Sequence, residues 1–411
     1  MKILMLTNFY PPIIGGMGHH VQSVSRELVK RGHEVIVCTT AQRALPMRGT
    51  DNGVTVLRLK GLFQQMPFLF KDPGQRHHPP ARDPAISRSL KRIIDEQKPN
   101  VINAHGWMLF SLLPWVKRYD IPLVLSLMDC EFICPKQSLV CDGDSLCDHP
   151  FTPRCITCGK TTYGLAKSIA TYCGIRDSRR KLKLVDRFIA ISTSTKRVNV
   201  TYLGLNDEDV EVIPCFYDPD TEGKIIDPES NPELPDDFIL FVGALSPHKG
   251  TEVLLRAYRK LNTQTKLVLI GSRHPDYHYV TGDSVVVLEN APRDVVMSAM
   301  SRCRFAVFPS IWAEGFGIVA IEAMSHSKAV IASDIGGLKD IVVDGDTGFL
   351  VAPGDAEKLA ASMEQLLKDP RKAVEMGLRG HERFTENFTP DAVMPRITDL
   401  YERLIHERAN V

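Results

Sequence analysis

The sequence predicts an α/β protein with two domains, each a parallel β-sheet covered by helices on both faces. Short apolar runs alternate with amphipathic stretches in two series, one before residue 216 and one after residue 236. Runs that are apolar at nearly every position are typical of strands buried on both faces, as in a parallel sheet. The 411 residues suffice for two or three domains, each with its own core.

The first series opens with a β-loop-α-β unit. The run KILML at 2–6 predicts a strand, and the loop after it is rich in proline and glycine. Residues 20–31 repeat apolar side chains on one helical face, and EVIVC at 34–38 predicts the next strand. A further helix is predicted over 84–97. The remaining strands of this series are predicted at 54–59, 100–103, 122–128 and 187–192.

The segment 216–236 predicts a linker, because it is rich in Pro, Asp and Glu and lacks apolar periodicity. It separates a first domain over 1–215 from a second over 237–390, and the C-terminal segment 391–411 predicts an amphipathic helix. Strands of the second domain are predicted at 238–244, 266–271, 285–289, 305–310 and 329–333. Two such sheets predict a ligand cleft between the domains, since open parallel sheets bind ligands at the carboxyl ends of their strands.

The net charge and hydropathy exclude several classes of protein. With a formal net charge of +1, the chain has no field that would recruit nucleic acid. No apolar window is long enough to span a membrane, and the N-terminus does not resemble a signal peptide, so we expect a cytoplasmic protein. The apolar stretch 62–70 and the basic stretch 176–183 leave open a peripheral contact with the inner face of a membrane. A core segment and a solvated helix face explain the same stretches more simply.

The most informative motif is PSIWAEGFGIVAIEAM at 309–324. It predicts a strand end, a glycine-containing loop and a helix that starts near Ile318. Free amides at a helix start bind phosphate or sugar oxygens, and the helix dipole favours negative charge there. Glu314 and Glu322, eight positions apart, would supply acceptors for sugar hydroxyls and for a ribose diol. A capping loop with surface glutamates is the alternative that spacing alone leaves open.

Two other loops contain glycine beside a predicted strand. FVGALSPHKG at 241–250 places Gly243 after a strand and Lys249 before a helix, where a mobile positive charge suits a diphosphate. In the first loop, Gly15 and Gly16 would let the backbone approach phosphate closely. The spacing there is not GxGxxG, so dinucleotide binding is not supported. The segment 341–355 predicts a hairpin-like turn with a structural role.

These motifs occur in a recognisable order: GGMGHHV, RGHEVIV, KG, EGFGIVAIEAM, GG and DGDTGFLVAPGD. In this respect the chain resembles the GT4 retaining glycosyltransferases, which have the GT-B fold of two Rossmann-like domains. The resemblance runs along nearly the whole chain and is strongest over 238–365. It implies an acceptor-binding first domain, a second domain that binds a nucleotide-sugar donor, and a C-terminal helix that crosses back to the first. The expected donor is UDP-hexose or UDP-N-acetylhexosamine, and the expected acceptor is a glycan, a lipid-linked sugar or a small molecule.

The resemblance also implies roles for residues at matching positions. Glu322 would bind the ribose, and Glu314 would face the hydroxyls of the donor sugar. Lys249 would hold the diphosphate, which Gly16 would approach from the first domain. Backbone amides that would assist at the donor belong to Phe316, Gly317 and Ile318. We expect retaining transfer without an obligatory metal, by substitution on one face, because no carboxylate suggests itself as a nucleophile.

One departure from the family pattern concerns the donor diphosphate. The family usually has Arg directly after the glycine that matches Gly243, and this chain has Ala244. One cation is therefore missing, which Arg273 or His248 could replace.

A second departure concerns the transferred sugar. The family often has His near the end of the strand 122–128, where this chain has Met128 followed by Asp129. His105 is the nearest remaining imidazole, and we expect His105 and Asp129 to act near the transferred sugar. A His in such a loop is as often structural.

Seven of the ten cysteines lie within 130–173. Four of them include one CxxC pair in a loop rich in Pro, Asp and Gly, and they predict a structural Zn²⁺ site that would hold this loop. The predicted ligands are Cys134, Cys147, Cys155 and Cys158. Cys130, Cys141 and His149 stay open as alternative ligands, as do unbound or redox-active thiols and an iron–sulfur cluster.

Two other functions fit the same pattern. A sugar-nucleotide 2-epimerase also uses two such domains but needs no acceptor site. A non-catalytic nucleotide-sugar-binding protein is made more credible by Ala244 and Met128. Analysis of the products formed from donor alone separates these alternatives from a transferase.

Overall fold

The computed structural model describes residues 1–13, 15–66, 78–141, 147, 150–222, 234–273 and 282–410. The chain divides into two compact units, Met1–Ile213 with Met394–Val411 and Pro214–Val393. Parts of the stretch 62–70 and of the predicted linker, and His149, lie outside the described residues.

The first unit contains an eight-stranded sheet. Its strands are Lys2–Thr7 (β1), Glu34–Thr40 (β2), Arg48–Asp51 (β3), Val54–Leu59 (β4), Val101–His105 (β5), Leu123–Leu127 (β6), Arg187–Ala190 (β7) and Val210–Val212 (β8). Their order across the sheet is β3-β4-β2-β1-β5-β6-β7-β8, and all neighbours are parallel except β3 with β4. The sequence did not predict β3 or β8, because RGTD contains no apolar run and β8 is only three residues long.

In the described part of residues 1–213, the α-helices are Gly16–Lys30 (α1), Pro84–Gln97 (α2), Leu109–Tyr119 (α3), Arg154–Tyr163 (α4), Leu165–Arg179 (α5) and Thr193–Leu203 (α6). The helix predicted over 84–97 has the observed bounds of α2. Its start is fixed by Asp83, whose side chain accepts hydrogen bonds from the amides of Ala85 and Ile86, and by proline at the first helical position. Helix α1 begins four residues before its predicted start, since the apolar pattern that marks it appears only from its second turn.

The second unit contains a six-stranded parallel sheet. Its strands are Phe238–Val242 (β9), Lys266–Gly271 (β10), Val285–Glu289 (β11), Ala306–Phe308 (β12), Val330–Ser333 (β13) and Gly348–Val351 (β14), in the order β11-β10-β9-β12-β13-β14. The hairpin-like turn predicted over 341–355 is wrong in one respect. A tight turn is present, with the amide of Gly345 bonded to the carbonyl of Gly348, but β14 after it pairs in parallel with β13.

The remaining helices are Pro219–Glu222 (α7), Thr251–Tyr258 (α8), Arg293–Arg302 (α9), Ile318–Ser325 (α10), Leu338–Ile341 (α11), Ala356–Lys368 (α12), Pro370–Asn387 (α13) and Pro390–Ala409 (α14). The two α/β domains predicted from the alternating pattern are confirmed. Their parallel strands read as continuous apolar runs because both faces of each sheet are covered.

The part of α14 in the first unit packs against that unit's sheet. Tyr401 is fully buried, and its hydroxyl accepts a hydrogen bond from the Asn103 amide of β5 at 2.6 Å. Near the end of the helix, Arg408 forms an ion pair with Asp186 at 2.6 Å. These contacts attach the C-terminal helix residues to the first unit.

Within the described ranges, no helix combines the length and the apolar character needed to cross a membrane. The basic stretch 176–183 includes the exposed end of α5. Contact with a membrane stays a prediction.

We expect Tyr401→Ala to lower the free energy of unfolding by about 3–5 kcal/mol, since it removes a large buried aromatic side chain. Tyr401→Phe keeps the ring but leaves the Asn103 amide without its partner, which costs about 1–3 kcal/mol. Urea unfolding of both variants measures the difference. Equal stability of Tyr401→Ala and the unchanged protein would show that α14 does not stabilise this core.

Candidate active site

The loop 309–317 connects β12 to α10 and carries the first predicted glutamate. The glycine pair at 336–337 lies against it. The amide of the second glycine donates to the carbonyl of Glu314 at 2.9 Å, and a side chain on either glycine would overlap the loop backbone. Phe316 is 4% exposed, and its ring packs edge-on against Phe388 at 5.9 Å. The loop is therefore fixed at the start of α10, where the first helix amides lack intrahelical partners.

Lys249 and Glu314, both predicted donor-site residues, form an ion pair with 2.8 Å between Nζ and Oε1. The Ser310 hydroxyl donates to the same carboxylate. The ammonium also lies 5.9 Å from the ring centroid of Trp312, which stacks against His248. The Lys249 and Glu314 side chains remain 25% and 13% exposed, so a ligand can reach both.

Lys249 reaches this position because two loops approach closely. It ends the single turn Pro247–Lys249, and Gly250 follows with φ +72°, in the left-handed region. A side chain at Gly250 would overlap the carbonyl oxygen of Pro309. Only glycine meets both conditions, which gives a structural reason for the KG pair of the sequence.

Glu322, the predicted ribose ligand, is 3% exposed in α10. Both its oxygens accept from Arg293, at 2.6 Å and 3.2 Å. The guanidinium also lies 5.7 Å from the ring centroid of Tyr217. No sequence pattern marked Arg293, because a lone Arg at a helix start carries no motif. The pairing leaves further lone pairs on the carboxylate for other donors.

The loop with Gly243 and Ala244 follows β9 and lies beside the end of β10. The amide of Gly243 donates to the Ile270 carbonyl at 2.9 Å, and Leu245 forms a parallel bridge with Arg273. Arg273 forms an ion pair with a glutamate, and both side chains are exposed. Arg273 and His248 were the two candidates to replace the missing cation at the donor diphosphate. Arg273 lies next to the loop with Ala244, whereas His248 stacks on the indole ring of Trp312.

In the first unit, Gly15 is the N-cap residue of α1 and Gly16 its first residue. Both line a cavity of about 250 Å³. Asp129, which follows β6, lines the same cavity. Glu131 lines it too, and no sequence pattern marked that residue. The structure thus brings three of the predicted residues together within this unit.

His105 ends β5 and is 1% exposed. Its ring meets that of His20 edge-on at 6.0 Å, and neither ring nitrogen has a hydrogen-bond partner among the described residues. Burial lowers the pKa of His105 well below its ordinary value and that of His20 to about 4. Both imidazoles are therefore neutral at physiological pH, and a role for His105 at the transferred sugar stays a prediction.

Five cysteines line a separate cavity of about 110 Å³ in the first unit: Cys134, Cys141, Cys147, Cys155 and Cys158. Burial raises the pKa of the Cys155 thiol. In the described part of the chain, no three Cys, His, Asp or Glu side chains form a group that could hold a metal ion. The predicted zinc site is thus not shown, although its four cysteines do meet at one cavity.

The fold and the loops that carry Lys249 and Glu314 are typical of a glycosyltransferase, and comparison with known families identifies the family. Residues 14–221 match the family described as Glycosyltransferase Family 4, and residues 224–383 match Glycosyl transferases group 1. The first match alone spans half of the chain. The protein therefore belongs to glycosyltransferase family 4 and is a glycosyltransferase with the GT-B fold.

Individual relatives support the same family. The chain is 28% identical to an uncharacterized glycosyltransferase of Methanocaldococcus jannaschii, over 90% of each chain. It is 26% identical to the alpha-maltose-1-phosphate synthase of Mycolicibacterium smegmatis, over 98% of this chain and 100% of the relative. Sucrose-phosphate synthase from Thermosynechococcus elongatus has a similar structure, with a TM-score of 0.75, 21% identity and 99% coverage of both chains.

A second solved structure is that of Anabaena HepE in complex with UDP-glucose. It matches with a TM-score of 0.70 and 18% identity, over 98% of this chain and all of that one.

Gly250→Ala should destabilise the second unit by roughly 3 kcal/mol or more, because it combines backbone strain with a clash against the Pro309 carbonyl. Gly354→Ala is a matched control. Gly354 has φ +82°, but a side chain there meets nothing within 4 Å, so only the backbone cost of about 1 kcal/mol applies. Urea unfolding compares the two, and equal losses would contradict the close approach of the loops.

Proposed function

We propose that the protein is a retaining glycosyltransferase that moves a hexose or N-acetylhexosamine from a UDP-sugar to an acceptor hydroxyl. The acceptor is a glycan, a lipid-linked sugar or a small molecule. The observation that supports this most is the Lys249–Glu314 ion pair at the start of α10. It places a cation, a hydroxyl acceptor and unpaired helix amides side by side, which is what a sugar joined to a diphosphate requires.

Lys249 is proposed to bind the diphosphate of the donor. When the bond between the sugar and the diphosphate breaks, negative charge grows on the leaving oxygen, and a fixed cation stabilises it most at that moment. The helix start at Phe316, Gly317 and Ile318 adds donors of the same polarity. This supply of positive charge supports transfer without an obligatory catalytic metal.

Glu314 is proposed to accept hydrogen bonds from hydroxyls of the donor sugar. Its carboxylate is held by Lys249 and by the Ser310 hydroxyl, so its position is fixed before the donor arrives. A carboxylate engaged in this way is a poor nucleophile, because its charge is already compensated. We therefore propose substitution on one face by the acceptor, without a covalent sugar–enzyme intermediate.

Glu322 is proposed to bind the ribose diol, with Arg293 fixing its carboxylate. UDP is proposed as the nucleotide because HepE was solved with UDP-glucose. Thermal-shift screening of UDP-, ADP- and GDP-sugars tests this choice, since a ligand that binds only the folded state raises its stability.

Glu314→Gln should lower kcat by about 10²-fold or more, because losing one such hydrogen-bonding group costs about 3 kcal/mol of transition-state stabilisation. Lys249→Ala should lower kcat by a similar factor and raise the donor KM. Glu252→Ala, at an exposed acid in the first turn of α8, is the control. Transfer of radiolabelled sugar measures the rates, and circular dichroism checks folding. Full activity of folded Glu314→Gln would refute its role, and conversion of donor alone to its 2-epimer would favour the isomerase.

Arg273→Ala should weaken donor binding about 10-fold, because a charge-assisted hydrogen bond contributes about 1.5–3 kcal/mol. Ala244→Arg restores the family's cation at an exposed position and should strengthen binding in the Arg273→Ala background. Isothermal titration with the best UDP-sugar gives the Kd values. An unchanged Kd for Arg273→Ala would exclude Arg273 as the replacement cation.

A further inference from the structure

Helix α5 exposes an apolar face to solvent. The exposed apolar and thiol side chains recur on one side of the helix, at Leu165, Ala166, Ile169, Ala170 and Cys173. We infer that this face, together with basic residues at its C-terminal end, docks the first unit on the surface of an anionic lipid bilayer. Docking does not require glycosyl transfer, so this interaction surface goes beyond the proposed function.

Leu165 and Ile169 are the bulky side chains of this face. They are 50% and 42% exposed, and they lie four residues apart, so they are neighbours on the helix surface. Single exposed apolar side chains are normal on soluble proteins, whereas a contiguous apolar patch marks an interaction surface. A solvated helix face, the simpler explanation of the basic stretch 176–183, does not account for these apolar residues.

The apolar face is not the side by which α5 packs on its own unit. The buried side chains of the helix lie on the other side, at Ser168, Thr171, Tyr172 and Ile175. Lys167 and Thr171 line the cavity of about 250 Å³. The helix is therefore held by the interior of the first unit, and its apolar face remains available to a partner.

The charge around α5 indicates the partner. From the start of α4 to the short turn Leu182–Leu184, the sequence has one acid, Asp177, and its basic residues are Arg154, Lys160, Lys167, Arg176, Arg179, Arg180, Lys181 and Lys183. The whole chain, in contrast, has 50 Lys and Arg and 49 Asp and Glu. A cluster of about four to eight basic residues on or beside a helix is a common means of binding anionic lipids.

Several of these charges are available to an outside partner. Lys160, Arg176 and Arg180 are exposed, and no ion pair joins them to another described residue. Asp177, the single acid, is already paired with Lys181. The positive charge of this region is therefore not neutralised by its own acid.

The apolar and basic parts of this surface face the same way. Arg176 follows Leu165 by about three helical turns and Ile169 by about two, so the three side chains share one side of α5. At a bilayer, an interfacial helix buries its apolar side chains at the boundary with the acyl chains, while Lys and Arg meet the headgroups. Nucleic acid offers phosphates but no apolar layer for Leu165 and Ile169, so an anionic bilayer fits both parts.

Helix α13 exposes a similar apolar pair but lacks the charge. Val374 and Leu378 are 60% and 52% exposed and lie four residues apart. That helix carries four basic and three acidic residues, so its charge is nearly balanced. The pair is therefore a matched control for apolar exposure without attraction to anionic lipid.

Co-sedimentation of the full-length protein with lipid vesicles tests the docking surface. The vesicles contain phosphatidylcholine alone or with an equal amount of phosphatidylglycerol, and no donor is added. We expect weak binding to phosphatidylcholine alone, and binding to the anionic vesicles that falls at about 1 M NaCl, where the Debye length is about 3 Å. Leu165→Asp/Ile169→Asp should lower the partition coefficient about 10-fold or more, because charge replaces the inserted apolar side chains. Arg176→Gln/Arg180→Gln should lower it similarly, since each charge near the surface contributes about fivefold.

The control Val374→Asp/Leu378→Asp should bind vesicles like the unchanged protein. Equal binding by the α5 and α13 variants, no preference for anionic vesicles, or no vesicle binding at all would overturn the docking surface. Tighter binding to single-stranded DNA than to the anionic vesicles would also overturn it. So would a dimer, seen by light scattering, that Leu165→Asp/Ile169→Asp dissociates, because the face would then belong to a second copy of the chain.

Circular dichroism checks the folding of each variant. If Leu165→Asp/Ile169→Asp fails to fold, Arg176→Gln/Arg180→Gln decides, because both arginines are exposed. Since vesicle binding is measured without donor, it would persist in a protein that transfers no sugar, a result that counts against the proposed function alone.

Discussion

The donor side of this protein depends on the contact between two loops, one ending in Lys249 and the other carrying Glu314. The backbone at Gly250 approaches Pro309 so closely that no side chain fits between them. This approach brings the ammonium and the carboxylate to 2.8 Å. The helix α10 starts at the same place, so its dipole, the cation and the acid share one ligand surface. Each of these groups is weak alone, and we propose that their proximity gives the site its selectivity for a sugar joined to a diphosphate.

Much of the fold and of the donor-side loop could be predicted from the sequence, because parallel strands and helix starts have strong local sequence signals. The apolar runs predicted most strands of both sheets, and EGFGIVAIEAM predicted the loop and α10. The edge strands β3 and β8 and the parallel strand β14 were not predicted. The residues RGTD of β3 contain no apolar run. The sequence of a tight turn at Gly345 does not tell whether the next strand pairs with the preceding segment or with another strand.

Side-chain partners were harder to predict than backbone elements. Arg293 pairs with Glu322 across elements that are distant in sequence, and no spacing rule reports such a contact. The same holds for Glu131, which lies close to Asn8 and Gly106, the residues that follow β1 and β5. The cysteines show the opposite case. Five of the seven cysteines that cluster in sequence line one cavity, but closeness in sequence did not establish the geometry of a metal site among the described residues.

In the proposed reaction the second unit binds the nucleotide sugar, and the first unit binds the acceptor. A crystal structure of the protein with its UDP-sugar tests the central claim most directly. We expect a diphosphate oxygen within hydrogen-bond distance of Lys249 Nζ, a sugar hydroxyl on Glu314 and the ribose on Glu322. A donor bound away from the start of α10, with Lys249 and Glu314 still paired only to each other, would contradict the proposed donor site.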